Sequence, residues 1–296
     1  MKRVYSFVPL FALIFAGSVL FASCGNKSAT DASSSCEEKA LNIVVSVNQW
    51  KSPVEDVVGK CGKVSVIISG TDVDPHDYEP SPSVVATIKK ADVLVVNGVD
   101  YDSWASKSAG ESTHVFDIAK KADVKEGDNP HLWYNPQVYK KLSAGLEEEL
   151  KILRPESDKY FKEQVEKFDK KVDQLLQKVE DKKKHLSGKK FVASESVANY
   201  LAKAIGPEDA TPEGYANATA NEGEPSANDV AKMHEVLTSG QAQFFFYNTQ
   251  EENNLTKDLL ADAQKSGIKI LKVTEQCPSN FSDTINWITS VVDSLD

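Results

Sequence analysis

Residues 156–186 read ESDKYFKEQVEKFDKKVDQLLQKVEDKKKHL, and this stretch decides the fold. Its apolar residues Phe161, Val165, Phe168, Val172, Leu175 and Val179 recur at alternating spacings of four and three. That spacing predicts a helix with one narrow apolar stripe, the remaining surface being charged. Pro155 suits a first helical turn, where its missing N–H would have no partner, and Ser187-Gly188 is a stop signal. At 1.5 Å per residue the helix would span about 46 Å, too long for the interior of one small lobe. It is expected to be a beam joining two lobes rather than a coiled-coil partner, because the stripe covers barely three heptads.

Short apolar strands alternate with amphipathic helices on both sides of the beam. Before it, strands are expected at 41–47, 63–69, 92–97 and 113–118, and helices at 52–60, 83–90, 101–107 and 136–153, the last with Asn135 as N-cap and Pro136 at its first position. Residues 119–130 read as polar loop. After it, strands are expected at 190–194, 215–219, 243–247 and 268–274, and helices at 197–205, 225–238, 255–266 and 280–295. The alternation predicts an α/β protein of two (β/α)4-like lobes with parallel sheets. The division drawn from it is 1–23 signal peptide, 24–40 tether, 41–154 first lobe, 155–188 linking helix and 189–296 second lobe.

The N-terminus reads as a targeting segment. Lys2-Arg3 precede a mostly apolar run from 8 to 21, and small residues Ala22-Ser23 precede Cys24. The run is short for a membrane span and contains Pro9. It resembles the bacterial lipoprotein signal, which implies lipidation of Cys24, although Phe21 stands where that signal usually has Leu; ordinary secretion is the alternative. Residues 25–35 are rich in Ser, Ala and Thr and read as a flexible tether. The protein is therefore expected on the outer face of the cytoplasmic membrane. Thiols tend to pair there. Cys36 and Cys61 precede the first two strands, so a Cys36–Cys61 bridge or two separate thiols are both open, with Cys277 left over. A net charge of −10 argues against nucleic acid as partner.

In parallel α/β sheets ligands bind beyond the carboxyl ends of the strands. His76, in Asp74-Pro75-His76-Asp77-Tyr78-Glu79-Pro80, and His131, in Asn129-Pro130-His131-Leu132-Trp133, both follow strands of the first lobe behind a stiffening proline. Glu195 and Glu275 end strands of the second lobe. Imidazole and carboxylate together suit divalent first-row metals, while a Pro-His pair on its own is more often a turn. His114, His185 and His234 read as surface or structural, Cys277 as a buried or incidental thiol, and Trp50, Trp104 and Trp133 as packing residues.

These segments, with Asn97-Gly98, Ser194-Glu195, Glu224-Pro225-Ser226 and Val273-Thr274-Glu275, resemble in order the zinc- and manganese-binding solute receptors (cluster A-I) of bacterial metal ABC importers. The resemblance covers essentially everything after the tether. It implies two lobes joined by a rigid helix, one metal in the cleft, and delivery to a membrane permease driven by a cytoplasmic ATPase. It implies His76 and His131 as nitrogen ligands and Glu195 and Glu275 as oxygen ligands. Two departures stand out. The usual Asp-Pro-His is Asn129-Pro130-His131 here, leaving Asp128 as a possible substitute, and the last position, often Asp, is Glu275. Zinc-type members usually carry a third His where Glu195 stands and a His-rich loop, whereas residues 106–129 hold only His114. The expectation leans to Mn²⁺ over Zn²⁺, with Fe²⁺ third, in a monomer whose lobes rock slightly rather than open widely. A metal-dependent hydrolase would need an open coordination position and a general base, and no HExxH helix or nucleophile elbow is present. A surface adhesin is the remaining alternative.

Overall fold

A computed structural model of the chain describes residues 1, 2, 4, 36, 40–71 and 73–295. Cys24, residues 25–35 and most of the signal segment lie outside the described residues. Among those described, no helix is long and apolar enough to cross a membrane.

The first lobe is built on strands β1 (Leu41–Val47), β2 (Gly62–Ile68), β3 (Val93–Val96) and β4 (His114–Asp117), all parallel in the order β2-β1-β3-β4. Its helices are α1 (Lys51–Val58), α2 (Pro82–Lys89), α3 (Ser103–Lys107), α4 (Ile118–Ala122) and α5 (Val138–Leu153). The beam is α6 (Asp158–Leu186), 29 residues long, or about 43 Å, entered through a tight turn at Pro155–Ser157. The second lobe carries β5 (Lys190–Ala193), β6 (Glu208–Asp209), β7 (Phe244–Asn248) and β8 (Lys269–Val273), parallel in the order β6-β5-β7-β8. Around them lie α7 (Asn199–Ile205), α8 (Glu213–Ala220), α9 (Ala227–Thr238), α10 (Asn254–Lys265) and α11 (Thr284–Asp293).

Three local expectations are corrected. Residues 215–219, expected as a strand, lie in helix α8; the Ala-rich segment 213–220 favours helix, and Tyr215 is its one buried side chain. The fourth strand is instead the two-residue β6, exposed and without an apolar pattern. The expected loop 119–130 begins inside helix α4, whose first turn is capped by the Asp117 carboxylate accepting the Lys120 N–H at 3.0 Å. Helix α5 starts at Val138, not Pro136: the Asn135 side chain accepts the Gln137 N–H at 3.1 Å and closes a turn before the helix.

The beam buries the stripe the sequence marks. Phe161, Phe168, Val172, Leu175 and Val179 are buried, and Val165 packs at the edge of the same core. That core is continuous, running from Ile43 and Val45 of β1 through the stripe to Phe191 of β5 and Phe246 of β7. The opposite face of the second sheet, with Val192, Phe245 and Tyr247, packs under α9 and α10 as a separate core with Met233, Leu237 and Leu259. Alternate residues of β7 thus enter different cores, as the two-residue period of a strand requires.

Helix α11 follows the second lobe in sequence but packs on α6 and α1. Lys171 of the beam contacts Asp283, the N-cap of α11, and donates to Asp56 of α1 at 2.8 Å. The Thr284 hydroxyl donates to the Gln49 carbonyl at 2.8 Å. Cys36 is joined to Cys61, and the Ser157 hydroxyl contacts the Cys36 sulfur at 3.1 Å, tying the chain entry to the foot of the beam. Phe168→Ala is expected to lower stability by about 3–5 kcal/mol through loss of buried area and a cavity between the lobes. Urea unfolding measures it; a loss under about 1 kcal/mol would mean the stripe does not carry the shared core.

Candidate metal centre

Glu195 and Glu275 lie just beyond the ends of β5 and β8, whereas His76 stands in the loop after β2 and His131 in the loop after α4, on the other side of the cleft. His131 follows Pro130, whose carbonyl accepts the Asn97 side-chain N–H at 2.9 Å; Asn97 follows β3, and its Oδ1 accepts the Trp50 indole N–H at 3.1 Å. The turn after Asn97 needs Gly98: its φ is +83°, and a Cβ there would fall 2.4 Å from Asp117 Oδ1. Val99 and Asp100 continue in left-handed conformation. Asp102 holds this turn, accepting from Asn97 N–H at 2.7 Å, Gly98 N–H at 3.0 Å and the Ser46 hydroxyl at 2.5 Å. Burial pushes Asp102 up to about 6. The turn places the Tyr101 ring edge-on to His76 and His131, with centroids at 4.7 and 6.1 Å.

Asn129 sets the imidazole of His131. Its Nδ2 donates to the Ser196 carbonyl at 2.7 Å, so its Oδ1 faces the histidine and accepts both the His131 backbone N–H at 2.9 Å and Nδ1 at 2.8 Å. Nδ1 therefore carries the proton and Nε2 keeps its lone pair. The amide takes the place expected of a carboxylate. Asp128 does not substitute; it accepts the Lys125 N–H at 2.9 Å. Burial, and then the neighbouring His76, lower the pKa of His131 to about 3, so it is neutral at physiological pH.

Glu195 and Glu275 approach from the second lobe. Asn248, at the end of β7, donates from Nδ2 to Glu195 Oε2 at 2.7 Å and, more weakly, to Glu275 Oε1 at 3.4 Å. Tyr101 donates its hydroxyl to Glu275 Oε2 at 3.3 Å across the cleft. Burial pushes Glu195 up to about 7, with Glu251, Asp74 and Glu222 adding repulsion and the Asn248 bond opposing. Burial, then Glu195 itself, push Glu275 up to about 8. The cavity they face, about 630 Å³, is lined also by Asp74, Glu222 and Glu251 and, among the described residues, by no lysine or arginine. The carboxylates thus lack a counter-charge.

Among the described residues, His131, Glu195 and Glu275 form a group whose donor atoms lie within 4.8 Å of one another. His76 lines the same cavity but stands outside this group, with Nδ1 3.5 Å from Glu222 Oε1. Cys277 points elsewhere: its sulfur lies 3.9 Å from the Pro278 and Phe281 carbonyls. His114 pairs with Glu149 and His234 with Asp262, while His185 is exposed. Trp50, Trp104 and Trp133 are buried, Trp133 against His131 with centroids at 5.3 Å. Sequence reasoning missed Asn248, Tyr101 and Glu222. Asn248 ends strand β7, but a neutral amide carries neither charge nor imidazole to mark it there. Glu222 comes near only through tertiary folding.

The buried groups fix the sign of a pH effect. In metal-free protein Glu195 and Glu275 keep protons to about 7 and 8 that the unfolded chain loses near its ordinary carboxylate range. Stability is therefore lost as pH rises through those values. The lowered His131 acts oppositely, losing stability as pH falls below about 6.5. Between pH 6.5 and 8 the two carboxylates dominate, with His131 opposing them slightly at the lower end, and stability is expected to fall by on the order of 2 kcal/mol. Urea unfolding with chelator at both pH values tests this; a rise would contradict it.

The family of zinc-uptake complex component A, periplasmic, matches residues 43–296. The chain is 24% identical over 307 residues to the high-affinity zinc uptake system protein ZnuA of Bacillus subtilis, covering 96% of this chain and 94% of that protein. It is 26% identical over 218 residues to the manganese-binding lipoprotein MntA of Halalkalibacterium halodurans, covering 70% and 69%. Among solved structures, the laminin-binding protein Lmb of Streptococcus agalactiae, described as bifunctional in adhesion and metal transport, superposes with a TM-score of 0.72 at 21% identity, covering 86% of this chain and 98% of that one. The periplasmic zinc-binding protein TroA of Treponema pallidum superposes at 0.71 with 18% identity, covering 86% and 98%. With the match running from β1 to the C-terminus, the chain belongs to the zinc-uptake complex component A family of periplasmic proteins.

Proposed function

We propose that this protein captures a divalent first-row metal outside the cytoplasm and delivers it to an ABC permease driven by a cytoplasmic ATPase. It is a binding protein and not an enzyme. The observation that carries the reading is the group of His131 with Glu195 and Glu275: one neutral imidazole and two uncompensated carboxylates from opposite lobes, with donor atoms within 4.8 Å. A divalent cation supplies the missing counter-charge and displaces the carboxylate protons. His131 Nε2 and the two carboxylates are the proposed standing ligands. His76 is the proposed fourth, leaving Glu222 to complete the site.

The metal follows from the donor set. Two carboxylates, each able to bind through two oxygens, suit Mn²⁺; Zn²⁺ generally binds mixed nitrogen–oxygen sites more tightly, and Fe²⁺ lies between in preference. Zinc and manganese both occur in the names of the relatives. We favour Mn²⁺ as cargo with Zn²⁺ as competitor. Lipidation of Cys24 would hold the monomer to the membrane by the tether 24–40. The working division is 41–154, the linking helix 155–188 and 189–296.

The continuous core and the packing of α11 on α6 and α1 support lobes that rock only slightly. His131→Ala and Glu195→Gln are each expected to abolish stoichiometric Mn²⁺ and Zn²⁺ binding, read by elemental analysis after gel filtration; retention of one metal per chain in both would sink the assignment. Small-angle scattering with and without metal is expected to change the radius of gyration by no more than about 1 Å, the scale of a rigid, pre-organised binding event. A change of several ångström would show wide opening.

A further inference from the structure

Gln250 joins parts of the site that neither the sheets nor the beam connect. It follows β7 by two residues, and its backbone N–H donates to Asn248 Oδ1 at 3.0 Å. Its side-chain Oε1 accepts the backbone N–H of Glu275 at 2.5 Å and of Gln276 at 3.1 Å. Its Nε2 donates to the Thr71 carbonyl of the first lobe at 2.9 Å and also contacts Gln276 Oε1. Thr71 lies at the root of the segment that carries His76. Reversing the amide would set N–H against N–H and oxygen against oxygen at the Glu275, Gln276 and Thr71 backbone, so those three contacts fix a single orientation. One planar group therefore spaces the Glu275 backbone from the root of the His76 loop.

We propose that Gln250 is a positioning residue that holds the His76 loop in register with Glu275 across the cleft, so that His76 can reach a metal bound by the opposite lobe. The inference rests on the reading of His76 and Glu275 as ligands. Its physical basis is a population effect. His76 stands beside Glu222 and outside the close group of the other three side chains, and the apparent affinity falls with the fraction of protein whose loop is in register. Of the other ties, the Trp104 indole N–H to the Pro75 carbonyl at 3.0 Å is internal to the first lobe, whereas Tyr101, edge-on to His76 and donating to Glu275, and Asn48, bonded to the Ser69 carbonyl and the Cys277 backbone, share the registering with Gln250.

The test is a double-mutant cycle on Zn²⁺ dissociation constants for the full soluble chain, comparing wild type, Gln250→Ala, His76→Ala and the double variant. Gln250→Ala is expected to weaken binding about tenfold in the wild-type background and less than about twofold when His76 is already absent. Gln250→Glu keeps the acceptor for both backbone amides and loses the donor to Thr71. Its added charge acts in both backgrounds, so the same coupling to His76 is expected to survive in its cycle. X-ray absorption of the Zn²⁺ form is expected to report two imidazoles in wild type and fewer in Gln250→Ala. Equal weakening in both backgrounds, or no weakening, would overturn the proposal. If His76→Ala binds as wild type does, the ligand assignment of His76 itself fails.

Discussion

Phe168, Val172 and Leu175 of the beam lie in one apolar core with β1 on one side and β5 and β7 on the other. Moving either lobe far from α6 would expose that surface, at about 25 cal/mol for each Å² returned to water. Helix α11 adds a second crossing by returning from the second lobe to rest on α1, where Lys171 lies between Asp56 and Asp283. Such exposed or half-exposed ion pairs contribute little alone. The apolar stripe sets the distance between the sheets, and the polar contacts choose among the small displacements that remain.

With the sheets held at that distance, their carboxyl ends face each other, and the site is assembled from loops rather than from the strands themselves. The loops are stiff because they are tied across the cleft. Tyr134 donates to the Thr274 carbonyl, Tyr200 to the Asn129 carbonyl, and Asn48 bonds the backbone of Cys277 while donating to the Ser69 carbonyl. A buried carboxylate pair without a cation is unfavourable, and it answers by holding protons. That response keeps the metal-free state stable near neutral pH. It also means metal uptake must release protons.

The beam was legible in the sequence because six apolar residues spaced alternately by four and three line one face of a helix and cannot line one face of a strand. Strands β3 and β7 were legible as apolar runs buried on both faces, and β1 as an apolar segment broken only by Asn42 and Ser46. Strand β6 was not, because its two exposed residues pair only through backbone atoms. Segment 215–219 misled because an isolated aromatic among alanines and threonine fits a short strand as well as a helix. The four candidate ligands were found from strand ends and from family resemblance. The residues that orient them, Asn129, Asn248, Tyr101 and Gln250, carry no period or spacing that singles out an amide or a phenol. Apart from the bond of Asn129 to His131 two residues on, their roles exist only after distant segments meet.

The exchange of Asn129 for the family's usual aspartate shows how such a role can be kept with less charge. An aspartate beside His131 would add a third negative group to a buried site already holding two unpaired carboxylates, and each buried charge raises the cost of the next. The amide accepts the Nδ1 proton with a neutral oxygen and uses its NH₂ to bond the Ser196 carbonyl, fastening the histidine loop to the opposite lobe. The imidazole keeps its tautomer, loses some basicity that an aspartate would confer, and gains a brace across the cleft. On the proposed reading, the lost basicity weakens the nitrogen contribution relative to the two glutamates. That balance moves the site toward the harder, oxygen-preferring end of the divalent series, in keeping with manganese as cargo.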